Sequence, residues 1–246
     1  MSFELIHWII LPIVFVSMTT RATLGFGEAL IAMPLLTMLV GLELAAPLVS
    51  VNSIIISAAI LLLDRKRLHF QSAWRLLVGG TLGIPLGLLM LGGDGQAGLQ
   101  IALGVLIVGF SAFKLARPHL FELKTDRSAY IFGFLSGVLG GMFNTGGPPL
   151  VIYGSARRFE PEEFRVTLQS FFLPAGIMVA VGHGIAGRLT GEVWSNVAAT
   201  FPVVVVALLL GTLLNRKLPK GRFDMIAYGL LVIVGLGLII KTIAVG

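Results

Sequence analysis

The sequence contains no cysteine, and only 12% of its residues are charged. Without cysteine the chain has no disulfide, no thiolate metal site and no cysteine nucleophile. A run of the Gly-x-x-x-x-Gly-Lys-Ser/Thr type is also missing, so ATP-driven work would need a separate subunit. By contrast, 56% of the 246 residues are hydrophobic, more than a soluble core of this size could bury. The composition therefore indicates a polytopic membrane protein and not an enzyme.

The basic residues lie between apolar stretches and do not form one solvated face. Although the net charge is +6, this distribution argues against a nucleic acid partner. Most of the 18 Lys and Arg fall in four clusters, near 65–75, 114–127, 157–165 and 216–222. Because Lys and Arg accumulate on the cytoplasmic side, we expect a multi-pass protein of the bacterial inner membrane with both termini periplasmic.

Apolar stretches of two kinds alternate along the chain. Six are uninterrupted and long enough to span a membrane, which takes about 20 residues: 44–63, 73–92, 97–115, 164–184, 193–214 and 223–244. Two others, 5–41 and 129–156, are broken at Leu24–Gly27 and Gly140–Pro149. Glycine and proline at that density do not continue a regular helix, so each is predicted to be a helix, an unwound turn and a second helix. If all four basic clusters lie in the cytoplasm, both broken stretches must enter the membrane and return to the same side as re-entrant hairpins.

The order of these elements repeats. Each half has one broken hairpin followed by three spans, and three crossings reverse the orientation of the second copy. Val49–Ser53 and Val166–Ser170 are similar and follow the first and second hairpin, although such small polar residues also serve close helix packing. We predict an all-α polytopic membrane protein of two inverted repeats, each a broken re-entrant helical hairpin followed by three transmembrane helices. The repeats are 1–116 and 129–246, joined by a cytoplasmic linker, 117–128.

Two glycine-rich segments occupy equivalent places in the halves. The first is LGFGEALIAMPLL, Leu24–Leu36, and the second is GFLSGVLGG, Gly133–Gly141, which runs into Gly146–Leu150. They resemble the duplicated motif of the sulfite exporter TauE/SafE-like permeases, and the resemblance covers essentially the whole chain. It implies a secondary transporter, an exporter of small sulfur-containing or organic anions such as sulfite or sulfonates. It implies no cofactor.

Both broken turns have features of an anion site. Unwound backbone and the N-terminus of a half-helix offer N–H groups with partial positive charge. We expect free amides from Gly25 to Glu28 and from Asn144 to Gly147, where Pro148-Pro149 suits a first helical turn. Gly146 is expected where the backbone approaches the ligand, with positive φ as a further reason for glycine. The alternative is that the glycines only allow tight packing.

Arg21 and Glu28 are charged residues within an apolar hairpin, where an isolated charge is costly. Arg21 either binds the anion bidentately, pairs with Glu28 across the break, or lies near a membrane surface with its head among the lipid headgroups. Glu28 either takes part in proton coupling or forms a static salt bridge or helix N-terminal carboxylate. The sequence leaves these alternatives open.

Uncharged polar residues in the spans after the hairpins complete the candidate site. Asn52 and Ser53 match Gln169 and Ser170 in the other half, although such residues also bond neighbouring helices without a transport role. Four scattered histidines make no metal site. The predicted substrate-binding residues are Arg21, Gly25, Gly27, Glu28, Asn52, Ser53, Asn144, Thr145, Gly146, Gly147, Gln169 and Ser170.

Three functions compete at this point. A secondary anion transporter would work by alternating access between the two hairpin-bearing halves, with a small anion, the lipid bilayer and a coupling proton or ion as partners. A passive anion channel could use the same re-entrant parts. An intramembrane enzyme or an assembly subunit would need other features, such as an acid–base pair in a lipid-accessible cleft. The exact substrate, the coupling ion and a homo-oligomer are left open by the sequence.

The predicted topology can be tested by cysteine labelling, because the chain has no native cysteine. A cysteine introduced by Arg67→Cys lies in a loop expected in the cytoplasm. We expect no labelling by a membrane-impermeant thiol reagent in intact cells and full labelling after permeabilisation. Labelling in intact cells would contradict this orientation.

Overall fold

The protein is all-helical throughout the residues that the structure describes. This computed structural model describes residues 3–64, 69–91, 96–116, 122–123, 125–159 and 161–217, and near the C-terminus 232–233, 235–237, 239–240 and 242–243. The helices are α1 Phe3–Leu24, α2 Glu28–Val40, α3 Leu42–Asp64, α4 Phe70–Leu91, α5 Gln96–Ala116, α6 Ala129–Phe143, α7 Gly147–Ala156, α8 Pro161–Ile185 and α9 Gly191–Lys217. The described residues between 232 and 243 are helical as well.

Four of the six predicted spans are confirmed as helices long and apolar enough to cross a membrane. They are Leu42–Leu63, Phe70–Met90, Glu163–Ile185 and Gly191–Asn215. The predicted span 97–115 falls within α5, in which the apolar stretch Ile101–Phe113 is shorter than spanning length. The last predicted span, 223–244, lies largely outside the described residues.

Both predicted breaks are present, and each separates two helices of one hairpin. The first lies between α1 and α2 and the second between α6 and α7. Gly25 and Gly27 have φ of 87° and 98°, and Asn144 has φ of 54°. This left-handed conformation is the usual way to end a helix, and it favours glycine or asparagine. The breaks are therefore true helix ends, which Gly25, Gly27 and Asn144 make possible.

The two hairpins pack across the halves of the sequence. α1 lies along α9, and α6 lies along α4, so each hairpin rests on a helix from the other half. Between these pairs α3 packs on α8, and further contacts join α4 to α8 and α3 to α9. This arrangement brings both breaks to the α3–α8 pair at the centre of the helical assembly.

The contact between α4 and α6 is made by two facing rows of glycine. Gly79, Gly83 and Gly87 on α4 and Gly133, Gly137 and Gly141 on α6 repeat at every fourth residue, so each row lies on one helix face. A Cβ added at Gly83 would lie 2.2 Å from the carbonyl oxygen of Phe134. A Cβ at Gly137 would lie 2.5 Å from that of Gly80. The two backbones thus touch directly, as small residues allow in membrane helices.

Asp126 fixes the start of the second hairpin to its surroundings. It belongs to a 3₁₀ turn, Asp126–Ser128, that leads into α6. Its carboxylate meets residues of α4, of α7 and of the turn after α7: Ser72, Arg75, Tyr153 and Arg157. Burial alone would raise the pKa of Asp126, but the two hydroxyl hydrogen bonds and the charges of Arg157 and His69 outweigh it and the pKa lies below its usual value.

The glycine contact predicts a clear difference between two helical glycines. Gly83→Ala places a methyl group against the α6 backbone and should destabilise the protein by about 1–3 kcal/mol, the usual cost of overpacking. Gly109→Ala, in α5, is the matched control, because a Cβ there meets no atom of the described residues within 4 Å. It should be neutral or stabilise by up to about 1 kcal/mol. Unfolding in detergent measures both, and equal effects would contradict the close contact.

Candidate functional site

A small cavity lies where the two broken hairpins meet α3 and α8. Its volume is about 30 Å³, room for about two water molecules. The polar side chains that line it are Arg21, Glu28, Ser53, Ser136 and Asn144. A smaller cavity of about 10 Å³ shares Glu28 and Asn144 with it and is also lined by Gly27, Thr145 and Gly147. Residues of both breaks therefore line two adjoining cavities.

Arg21 is almost completely buried, with 1% of its surface exposed, and each of its N–H groups has an acceptor. Nε and Nη2 donate to Oε1 of Gln169 at 3.2 and 3.0 Å. Nη2 also donates to Oγ of Ser57 at 2.5 Å, and Nη1 donates to Oγ of Ser53 at 3.0 Å and to the carboxylate of Glu28. A guanidinium has five N–H donors, so this set leaves none for a further ligand.

These contacts decide between the alternatives for Arg21 in this state of the protein. Its burial excludes a position among lipid headgroups, and its salt bridge with Glu28 is the pairing across the break that the sequence suggested. Its guanidinium carbon also lies 4.7 Å from the ring centre of Phe172, a cation–π distance. An anion could bind Arg21 bidentately only after displacing one of the present acceptors.

Glu28 is the first residue of α2, where a carboxylate faces the positive end of the helix. It accepts hydrogen bonds from Arg21 and, at 2.8 Å, from Ser53. The carboxylate is thus a salt-bridge partner and a helix N-terminal residue at the same time. Arg21 and Glu28 together form a buried pair without net charge.

Each break is tied by a side-chain amide to the long helix of the other half. Nε2 of Gln169, on α8, donates to the carbonyl of Gly25 at 2.7 Å. Nδ2 of Asn144, in the second break, donates to the carbonyl of Ala46 on α3 at 2.6 Å. Gln169 therefore holds the first break and Arg21 together. The tips also lie close together, since a Cβ added at Gly147 would lie 3.8 Å from the side chain of Phe26.

Three of the predicted site residues neither line a cavity nor bond to Arg21. Asn52 is buried but bonds to Thr200 on α9 at 3.1 Å, and Ser170 bonds to the carbonyl of Thr167 in its own helix. Gly25 packs against the backbone of Arg165, since a Cβ added at Gly25 would lie 3.1 Å from the Cα of Arg165. The remaining nine predicted residues line a cavity or, in the case of Gln169, bond to Arg21.

The prediction of free amides through both turns needs correction. The amides of Gly25, Asn144 and Thr145 donate to carbonyls at the end of the preceding helix, because those residues cap it. Free donors are therefore expected only after these caps, and Pro148 and Pro149 provide none in α7 because proline lacks an N–H.

Gly146 also differs from expectation. Its φ is −68°, so positive φ is not the reason for glycine. The reason is space, because a Cβ would lie 2.8 Å from both oxygens of Ser136.

Sequence reasoning missed several residues of the site. Phe172 on α8 and Ser136 and Gly140 on α6 line the cavity. Arg165 counted as one of the cytoplasmic basic residues, but it is buried, with 4% exposure, beside the first break. The helical period was the available signal, since Arg165, Gln169 and Phe172 share one face of α8.

The polar side chains around the cavities are of the kind that bind a small oxyanion. Oγ1 of Thr145 is buried beside the smaller cavity and has no hydrogen-bond partner within the described part of the chain. In the same part of the chain, no three His, Cys, Asp or Glu residues are grouped closely enough to hold a metal ion. The unpartnered hydroxyl of Thr145 and the guanidinium of Arg21 line cavities that share Glu28 and Asn144, and both groups suit the oxygens of an anion.

Comparison with known proteins agrees with this interpretation. A family model described as "Sulfite exporter TauE/SafE" matches residues 10–238, which include both breaks. The chain is also similar to the "Probable sulfite/organosulfonate exporter TauE" of Cupriavidus necator, with 29% identity over 230 residues, 89% of this chain and 88% of the relative. No solved structure matches the chain.

The buried pair predicts non-additive effects on stability. Arg21→Ala leaves the Glu28 carboxylate buried without an opposite charge, and Glu28→Ala does the same to the guanidinium, so each should cost about 3–5 kcal/mol of unfolding free energy. The double variant should lose clearly less than the sum, because no uncompensated charge remains. Unfolding in detergent measures this cycle, and additive losses would show that the two groups do not interact.

Proposed function

The chain belongs to the sulfite exporter TauE/SafE family, and from that premise we propose that it is a secondary transporter that exports small sulfur-containing or organic anions, sulfite or sulfonates among them. The observation that carries this proposal is Arg21, a buried cation beside a cavity between the tips of two broken hairpins. A buried guanidinium is suited to hold a sulfur oxyanion through two parallel hydrogen bonds.

The size of the cavity favours a carrier over a passive channel. It has room for about two water molecules, whereas sulfite has four heavy atoms and every sulfonate has more. The tips must therefore separate before the anion can bind at Arg21. A site that opens and closes with each anion fits alternating access, while a conducting pore would keep a continuous path.

Glu28 acts in this proposal as an internal competitor for the anion. Its carboxylate now occupies donors of Arg21 that an oxyanion would use. When the anion displaces it, two negative charges and one positive charge share a buried space, which is unfavourable. Uptake of a proton by Glu28 restores neutrality and gives the carboxyl a second conformation. The anion would then bind Arg21, the free amides of the breaks and Thr145.

The arrangement in the membrane is part of the same proposal. The two halves, 1–116 and 129–246, are inverted repeats related by a pseudo-two-fold axis near the α3–α8 contact. The matched packing of α1 on α9 and of α6 on α4 supports this relation, as does the tie of each break to the other half. In the inner membrane the basic loops face the cytoplasm and the termini face the periplasm.

A binding screen with a matched variant tests the site. Purified protein is heated with sulfite, sulfate, thiosulfate, methanesulfonate or acetate, and a bound anion raises the unfolding temperature. Glu28→Gln removes the competing charge but keeps the shape of the side chain, so sulfite or methanesulfonate should bind it about tenfold more tightly than the parent. Binding to the parent should strengthen as the pH falls, whereas binding of methanesulfonate to the variant should not change.

The opposite results would contradict the proposal. If Glu28→Gln binds no anion more tightly than the parent, Glu28 and the anion do not compete for Arg21. Flux from proteoliposomes separates the two transport modes: saturable flux that depends on a counter-gradient indicates a carrier, and fast conductance without coupling indicates a channel.

A further inference from the structure

His183 is a buried imidazole without any hydrogen-bond partner in the described part of the chain. None of its surface is exposed, and both Nδ1 and Nε2 are buried and unpartnered. The backbone of the same residue is satisfied, since its carbonyl accepts from the amide of Arg188 at 2.9 Å. An unmade hydrogen bond at a buried group destabilises the folded protein, so a buried imidazole with two unpartnered nitrogens needs an explanation.

Its place on α8 connects it to the cavity. Phe172, Gly176 and Val179 line the cavity, and His183 continues the same row at spacings of four, three and four residues. Residues at this spacing share one helix face. With a rise of about 1.5 Å per residue, His183 lies about 6 Å beyond Val179 toward the end of α8. The imidazole therefore stands between the anion cavity and the loop that follows α8.

Within the described ranges of the chain, few charged groups lie near His183. The charge of Arg188, in the loop after α8, acts on the imidazole. Of the helices packed on α8, α6 has no charged side chain, α4 has Arg75 near its far end, and α3 begins with the exposed Glu43. Because its side chain is fully buried, the imidazole can exchange a proton with water only when this end of the protein opens.

We propose that His183 is a proton-binding site of the transport cycle, which passes the proton between Glu28 and the aqueous phase at the C-terminal end of α8. The inference rests on the proposed function. Each anion that displaces Glu28 brings one negative charge into the buried site, and one proton balances it. An imidazole can accept a proton at one nitrogen and release one from the other, which requires that both nitrogens be free of permanent partners. His183 meets that requirement.

The experiment compares net transport with exchange in proteoliposomes that contain the full-length chain. Methanesulfonate is the probe, because its own charge does not change in the neutral pH range, and a trapped dye reports proton movement. His183→Gln should lose proton movement, and its net flux should fall by about tenfold or more. Its binding of methanesulfonate and its exchange of labelled anion at equal concentrations should match the parent, since exchange needs no release of the proton.

Controls and contrary outcomes separate the two proposals. Ile185→Ala, at an exposed side chain in the same helical turn, should behave as the parent, and His183→Asn replaces the glutamine variant should that variant fail to fold. Proton movement at the parental level in the variant, or equal loss of exchange and net flux, would overturn the role of His183. If the parent carries the anion without proton movement, the role of His183 and the protonation of Glu28 are both wrong, while the exporter proposal stands. If the parent carries neither methanesulfonate nor sulfite, the exporter proposal is wrong as well.

Discussion

The salt bridge between Arg21 and Glu28 is the interaction on which the centre of the protein depends. A buried guanidinium is stable only when all its donors are satisfied, and here the acceptors come from three different helices. Glu28 belongs to α2, Ser53 and Ser57 to α3, and Gln169 to α8. Arg21 thereby fixes the end of its own helix relative to both halves of the chain. Because these contacts occupy every N–H donor of Arg21, an anion could bind the guanidinium only by displacing one of its present acceptors.

The glycine rows between α4 and α6 provide the complementary constraint. Direct backbone contact holds the first helix of the second hairpin firmly on α4. The α1–α9 contact is different: Gly211 on α9 meets the side chain of Ala22 and the backbone of Thr19, so only one of the two surfaces is glycine. The second hairpin is therefore held by glycine on both surfaces, whereas at Gly211 the first hairpin presents alanine and threonine.

Much of the architecture could be predicted from the sequence, because its signals are local. Glycine and proline interrupt apolar stretches where the hairpins break, and seven residues separate Arg21 from Glu28 across such a break. The direction in which a side chain points depends instead on the rotation of each helix, which packing decides. Asn52 and Ser170 were expected at the site for their place in the repeat, yet Asn52 faces α9 and Ser170 bonds within α8. The helix caps that occupy the amides of Gly25 and Asn144 likewise form only in the folded chain.

The packing of α1 on α9 has a consequence for how the chain is made. Synthesis proceeds from the N-terminus, so α1 is inserted long before α9 is made. Until then α1 lies in the membrane without the helix on which it packs. Gln169 also arrives late, on α8. Glu28 and Ser53, in contrast, follow Arg21 closely along the chain. The carboxylate of Glu28 can therefore neutralise Arg21 as soon as the first hairpin has been synthesised. This lowers the free-energy cost of placing Arg21 in the membrane during biogenesis.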